Sequence, residues 1–258
     1  MILRRIADAA RLRVAKEKEQ IPPEQMREMA LSISVDEPFR FQKALQAEGI
    51  SFICEVKKAS PSKGVIAEDF SYQEIAREYE AAGAAAISVL TEPEFFQGSD
   101  QYLARIHQVV NTPLLRKDFT VDPYQIYQAR YIGADGILLI CALLTAEEIR
   151  EYLEICDWLK LSALVEAHDE AEVAMALDAG ASIIGVNNRD LKTFQVDINN
   201  CIRLRQLVPP GITFVAESGV KTPDDVDRLR AAGVDAVLIG ETLMRSKDKK
   251  GMLDTLRG

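Results

Sequence analysis

Four segments of this chain repeat one pattern. A helical stretch ends in Gly, one or two small or acidic residues follow, and a short apolar run begins: Ala82-Gly83-Ala84-Ala85, Ile132-Gly133-Ala134-Asp135, Ala179-Gly180-Ala181-Ser182 and Ala232-Gly233-Val234-Asp235. A glycine at this point fits the left-handed residue that closes a helix, a conformation that costs little only without a Cβ. The four glycines are separated by 50, 47 and 53 residues. A strand and helix with their loops take roughly 25 residues, so each interval holds two such units. The intervening strands fall at Ser51–Val56 and at 113–117, 162–166 and 212–216. Helical apolar spacing fills Tyr72–Ala81, 145–159 and 223–232, and Ser71, Thr145 and Thr222 stand where helix caps belong. Residues 1–48 show helical stretches and no strand pattern, and read as an N-terminal extension of the same domain.

Eight buried strands alternating with helices predict a (β/α)8 barrel, that is, an α/β TIM-barrel fold, over the single domain 1–258. A doubly wound sheet is the alternative, but its first strand would normally open onto a glycine-rich phosphate loop. Here the first strand runs into Ser60-Pro61-Ser62-Lys63-Gly64.

Composition narrows the partners. The formal net charge is −9 and 48% of residues are hydrophobic. An acidic chain argues against nucleic acid and anionic membranes, whose binders normally show a basic face, while leaving room for a small anionic substrate. There is no apolar run long enough for a membrane span and no signal-peptide core, so a cytoplasmic location is expected. Cys54, Cys141, Cys156 and Cys201 form no C-x-x-C pair and are expected as buried free thiols. His107 and His168 are the only histidines, which leaves little material for a metal site or a Ser-His-Asp triad. No metal is expected.

In a barrel, chemistry gathers at the carboxyl ends of the strands. The first strand carries Glu55 and Lys57 there, the third Lys117-Asp118-Phe119, the fifth Glu166, the sixth Asn187-Asn188-Arg189-Asp190, the seventh Glu217-Ser218-Gly219 and the eighth Gly240-Glu241. Lys57 and Lys117 suit an anionic substrate or proton donation, and Glu55, Glu166 and Glu217 suit orienting those lysines or moving protons. The other reading of these carboxylates is structural ion pairing. Ser218, Gly219, Gly240 and Glu241 fit a phosphate site built from main-chain N–H groups, with Ser60 adding a hydroxyl. Phe96, Phe119, Leu138 and Leu191 are candidates for an apolar wall. His168 is read as a loop residue outside the chemistry, His107 as surface, and Lys58 and Lys63 as bystanders.

The segment Glu55-Val56-Lys57-Lys58-Ala59-Ser60-Pro61-Ser62 resembles the E-x-K-x-x-S-P-S signature of the indole-3-glycerol-phosphate synthase family. The likeness continues in order through Phe96-Gln97-Gly98-Ser99, Lys117-Asp118-Phe119, Asn187-Asn188-Arg189-Asp190-Leu191, Glu217-Ser218-Gly219 and Ile239-Gly240. The resemblance implies a tryptophan-pathway lyase that needs no cofactor. It would close the ring of a phosphorylated aromatic substrate, 1-(2-carboxyphenylamino)-1-deoxyribulose 5-phosphate, with loss of CO2 and water. By matching position it implies Lys117 as general acid and Glu166 as its partner in dehydration. Lys57 and Arg189 would hold the substrate carboxylate, and Glu55, Asn187 and Glu217 would position the lysines and hydroxyls. Pro61, Phe96, Phe119, Leu138 and Leu191 would wall the ring. One departure is Glu241, where many relatives carry Ser or Thr. Its main-chain N–H is expected to serve the phosphate while its carboxylate turns to solvent. The alternatives are another phosphate-binding barrel, such as phosphoribosylanthranilate isomerase, and a non-catalytic barrel. A monomer or weak homodimer is expected, with no second enzyme fused after the eighth strand.

Overall fold

The computed structural model describes residues 2–190 and 194–258. Eight parallel strands close into a barrel: β1 Ser51–Val56, β2 Ala86–Leu90, β3 Leu114–Lys117, β4 Gly136–Ile140, β5 Ser162–Ala167, β6 Ile183–Asn187, β7 Thr213–Glu217 and β8 Ala236–Ile239. Each strand pairs with its neighbours in sequence, and β8 closes on β1 with Cys54 opposite Ile239. Relative to the sequence expectation, β3 starts one residue later, and β5 and β7 each run one residue further. Glu217 is therefore a strand residue, not a loop residue.

Three helices precede the barrel: α1 Ile2–Gln20, α2 Pro23–Leu31 and α3 Arg40–Leu45. Between and after the strands come α4 Tyr72–Ala81, α5 Asp100–His107, α6 Tyr124–Tyr131, α7 Ala146–Leu159, α8 Glu170–Ala179, α9 Ile198–Arg205, α10 Pro223–Ala231, α11 Glu241–Arg245 and α12 Lys249–Arg257. Thr145 and Thr222 each close a reciprocal capping box, with Glu148 and Asp225. Ser71 does not cap α4. Its ψ of 64° turns the hydroxyl away from the helix, and it donates to Asp69 instead.

The repeated glycines all have positive φ, between 75° and 93°, and the residue after each returns a main-chain hydrogen bond to the helix it closes. These bonds are Ala84 to Tyr79, Ala134 to Ala129, Ala181 to Ala176 and Val234 to Leu229, at 2.9–3.1 Å. The acidic residues in the pattern have their own work. Asp135 accepts from the N–H of Leu114 at 2.9 Å, and Asp235 from that of Phe214 at 2.7 Å. These two repeats therefore tie down the start of the preceding strand.

Strand parity divides the core. Ile53, Ala86, Leu115, Leu138, Leu164, Ile183, Val215 and Leu238 fill the barrel, and Phe41 and Leu45 of α3 pack among them. The strands' other faces pack against the helices, and Cys54, Cys141, Cys156 and Cys201 lie in that outer layer. All four are free and buried. Burial pushes the thiols of Cys54 and Cys201 up to about 12, so they are inert apolar filler. α1 buries Leu3, Ile6, Ala10 and Val14, Val14 against Met26 of α2 and Tyr124 of α6, and α3 shows no pattern in the sequence.

Candidate active site

Five of the residues that fill the barrel are followed, two positions on, by residues of its mouth. Ile53 leads to Glu55, Leu115 to Lys117, Leu164 to Glu166, Val215 to Glu217 and Leu238 to Gly240. Because successive side chains alternate across a strand, each pair points inward. These residues line a cavity of about 740 Å³ with a floor of Leu90, Leu138, Ile140 and Leu238.

Lys117 sits at its centre. Its Nζ lies 3.3 Å from Glu166 Oε2 and 3.4 Å from Glu217 Oε2. Burial opposes its charge, but Glu217, Glu166 and Glu55 together hold its pKa above the ordinary lysine value, so it is an ammonium. Burial favours the neutral acid for both carboxyls, yet they diverge. Lys117, His168 and the Asn187 amide, which donates to Glu166 Oε1 at 3.3 Å, hold Glu166 below its ordinary value. Glu217 is buried beside Glu166, with Oε1 lacking a partner, and is pushed up to about 7 although Lys117 pulls the other way. Two carboxyls around one ammonium thus differ in proton affinity, an arrangement suited to moving a proton.

Lys57 and Glu55, neighbours at the carboxyl end of β1, form a second ion pair at the mouth. Gly240 leaves room for it: a Cβ there would stand 2.8 Å from Lys57 Nζ and collide with the Glu55 carboxylate. Asn187 also orders the next loop, where Oδ1 accepts the Arg189 N–H at 3.0 Å. Arg189 pairs with Val196 in an isolated antiparallel bridge and its guanidinium reaches the Phe194 carbonyl at 3.3 Å. Glu92 does not reach the cavity. Its carboxylate accepts the N–H groups of Glu94, Phe95 and Phe96 at 2.7–3.0 Å, which places Phe96. The Phe96 and Phe119 rings then stand 6.0 Å apart.

The structure brings every expected site residue to this cavity except Leu191, which lies outside the described residues. Ser60, Pro61, Ser218, Gly219, Gly240 and Glu241 form one side of its rim. Ser218 has φ +66°, an uncommon conformation for a residue with a Cβ, and with Gly219 it makes a tight turn after β7. Glu241 opens α11, a helix of five residues. Its carboxylate does not turn freely to solvent: Arg245 donates to it at 3.1 Å and Lys63 lies 3.6 Å away. Lys63 is therefore a rim residue and not a bystander. The sequence also gave no sign of Ile2, Leu3 and Ile6, by which α1 closes one side of the cavity, nor of Phe194 and Arg245. Among the described residues, no group of three or more His, Cys, Asp and Glu could hold a metal ion.

Fold and site define a (β/α)8-barrel enzyme, with paired ammonium and carboxylate groups above an apolar floor and a glycine-rich rim after β7 and β8. A family model described as indole-3-glycerol phosphate synthase matches residues 3–256. Relatives under that description include proteins of Ruminiclostridium cellulolyticum, 57% identical over 100% of this chain and 99% of that one, and of Endomicrobium trichonymphae, 56% identical over 95% of each. The chain belongs to the indole-3-glycerol phosphate synthase family, carboxy-lyases of tryptophan biosynthesis. Among solved structures it is similar in fold to KGPDC from Streptococcus mutans, with a TM-score of 0.63 at 13% identity over 81% of this chain and 96% of that one. It is similar also to a chain of the tryptophan synthase complex from Pyrococcus furiosus, with a TM-score of 0.60 at 14% identity over 81% and 97%. The isomerase alternative expects a reactive cysteine at the first strand end, whereas Cys54 faces the outer layer, away from the cavity. No helix of the described residues is long and apolar enough to cross a membrane.

Proposed function

We propose that this cavity binds 1-(2-carboxyphenylamino)-1-deoxyribulose 5-phosphate and converts it to indole-3-glycerol phosphate. The observation that carries the reading is the Lys117 ammonium held between Glu166 and Glu217, over an apolar floor and opposite the Lys57–Glu55 pair. The ring carbon bearing the carboxylate attacks the ketone, and the carbonyl oxygen becomes an alkoxide. Lys117 donates its proton to that oxygen. An alkoxide is far more basic than an amine, so the transfer runs downhill even from a lysine whose own proton is firmly held. The carbon–carboxylate bond then breaks, its electrons restore the aromatic ring, and CO2 leaves. In the final step the carbon–oxygen bond breaks and the hydroxide leaves as water with a proton from Lys57, while the ionised Glu166 removes the carbon-bound proton whose loss completes the indole. Glu166 then gives up that proton, and Lys57 and Lys117 are reprotonated from solvent.

Lys57 and Arg189 hold the substrate carboxylate, and Glu55, Asn187 and Glu217 orient the lysines and the ribulose hydroxyls. The aromatic ring lies along Pro61, Phe96, Phe119 and Leu138. The phosphate is taken by Ser60 and by the main-chain N–H groups of Ser218, Gly219, Gly240 and Glu241. No cofactor enters the scheme. The three N-terminal helices pack onto the barrel, which supports reading 1–258 as one functional domain. A cytoplasmic monomer or weak homodimer completes the proposal, and sedimentation over a concentration series tests the oligomeric part.

The functional test is a fluorescence assay for the indole product with the parent and Lys117→Ala. Turnover by the parent and loss of at least about a hundredfold in the variant are expected. A well-folded parent without turnover overturns the reading, and undiminished turnover by the variant overturns the role of Lys117.

A further inference from the structure

His168 follows β5 directly and does not line the cavity. Its ring nevertheless lies against the active-site carboxylate. Nδ1 is 3.0 Å from Glu172 Oε2 on α8, and Nε2 is 3.3 Å from Glu166 Oε1. Nε2 is buried without an aligned hydrogen-bond partner, so its nearest counter-charge is the Glu166 carboxylate. The other side is anchored. Glu172 Oε2 also accepts the His168 main-chain N–H at 2.8 Å, and Asn200 of α9 donates to the His168 carbonyl at 3.1 Å. Asp169, the cap of α8, accepts the Glu172 N–H at 2.9 Å. The imidazole is thus a strut between the start of α8 and the back of Glu166.

We propose that His168 is a positioning residue: anchored on Glu172, it holds the Glu166 carboxylate turned toward Lys117 and Asn187 without itself touching substrate. The proposal rests on the assignment of Glu166 made above. The charged groups facing the ring are Glu166 on β5, Glu172 on α8 and, further off, Glu217 on β7. Burial alone would favour neutral imidazole, but the hydrogen bond to Glu172 and the charge of Glu166 push His168 up to about 9. An imidazolium in this place favours ionised Glu166, the form that can accept a proton.

The test combines titration with turnover. The chain holds 2 histidines, so the 15N-imidazole resonances of His168 and His107 can be assigned with a single substitution. His168 of the parent is expected to stay protonated up to about pH 9, and its pKa is expected to fall in Glu166→Gln and in Glu172→Gln. An ordinary titration in the parent overturns the proposal. In turnover, His168→Asn is expected to lower kcat on the order of tenfold, with KM within about twofold of the parent. The acid limb of the kcat profile is expected to move up by about one pH unit, because Glu166 loses a neighbouring cation. Glu172→Gln removes an anion and leaves a protonated ring in place at acid pH, so it is expected not to raise the limb. Its lowered His168 pKa decides the matter if His168→Asn fails to fold, a parental His168 titration in Glu172→Gln overturning the proposal. A merely structural histidine would lower stability and leave the limb where it is. An unmoved limb in a folded His168→Asn, with Glu166→Gln inactive, overturns this proposal alone. Parental kcat in Glu166→Gln overturns the reading of Glu166 and this proposal with it.

Discussion

Arg13 and Asp118 are 105 residues apart in sequence, yet one guanidinium nitrogen of Arg13 donates to both carboxylate oxygens of Asp118, at 2.8 and 2.9 Å. Asp118 is the residue after Lys117. It also accepts from the Thr91 hydroxyl at 2.7 Å and lies 3.6 Å from Arg116. Arg116 faces outward from β3, where it meets Asp100 and the side chain of Gln128. The N-terminal extension is thereby joined to the strand that carries the central lysine. Burial works against the charge of Asp118, but Arg13 and Arg116 hold its pKa below the ordinary carboxylate value.

Arg13→Ala leaves a buried carboxylate with one cation fewer. Removing one partner of a buried pair costs about 3–5 kcal/mol, and the remaining Arg116 and Thr91 place this case at the lower end. The expected outcome is a loss of about 3 kcal/mol in denaturant unfolding, together with a fall in kcat, because Lys117 is displaced along with its neighbour. A variant with parental kcat would show that the extension stabilises the barrel without steering the site.

Stability should fall as pH rises from mildly acidic to alkaline. Glu217 is pushed from 4.5 up to about 7, so between those values the folded protein keeps a proton that the unfolded chain has lost. Folding is therefore favoured at the acidic end of that window. His168, raised from 6.5 to about 9, acts in the same direction: its contribution is complete below the lower value and is lost as pH rises through the upper. Glu166 and Asp118, both held down, lose their contributions only at more acid pH. Denaturant midpoints at pH 5, 7 and 9 are expected to decline in the parent, and Glu217→Gln should flatten the first interval and leave the second. A midpoint rising from pH 5 to pH 7 contradicts the raised Glu217.

Glu241 occupies two cations at the rim, Lys63 and Arg245. Its carboxylate is partly exposed, a setting in which ion pairs are worth about 0.2–1 kcal/mol. Glu241→Ser keeps the main-chain N–H, frees both cations for the substrate phosphate and removes a repelling charge. KM is expected to fall by roughly 2- to 5-fold at low ionic strength, with the gain fading as salt is added. A rise in KM would mean that the carboxylate itself contributes to binding.

What the sequence disclosed follows from its periodicities. The glycine repeat set the number of strands, and the carboxyl ends of those strands bring Glu55, Lys117, Glu166 and Glu217 to one mouth. That they share the inner face with Ile53, Leu115, Leu164 and Val215 is seen only in the structure. The pairs that tune these groups were not legible. Arg13 with Asp118, His168 with Glu172 and Lys63 with Glu241 each join different elements, and neither spacing nor residue type encodes such a meeting. The six-residue α3 is illegible for a related reason: its role as a plug is set by the barrel it closes, and it is too short to show a period. Ser71 shows the converse, a good cap by residue type whose backbone turns its hydroxyl elsewhere.

Gly240 tests whether the second ion pair belongs to the chemistry. The glycine has no Cβ where Glu55 and Lys57 pair at the end of β1, and a methyl group there would meet both. Its φ of −114° is open to any residue, so Gly240→Ala adds volume without backbone strain. The clash can be relieved only by moving the Lys57–Glu55 pair, since β8 is locked to β1 by the register of Ser51 with Ala236 through Cys54 with Ile239. Overpacking costs about 1–3 kcal/mol at a rigid site and less where side chains can retreat toward a cavity. Gly240→Ala is therefore expected to melt close to the parent while losing about tenfold or more in kcat/KM, as displacing a positioned group does. If the variant melts far below the parent and keeps its kcat/KM, the Lys57–Glu55 pair serves the barrel and not the reaction.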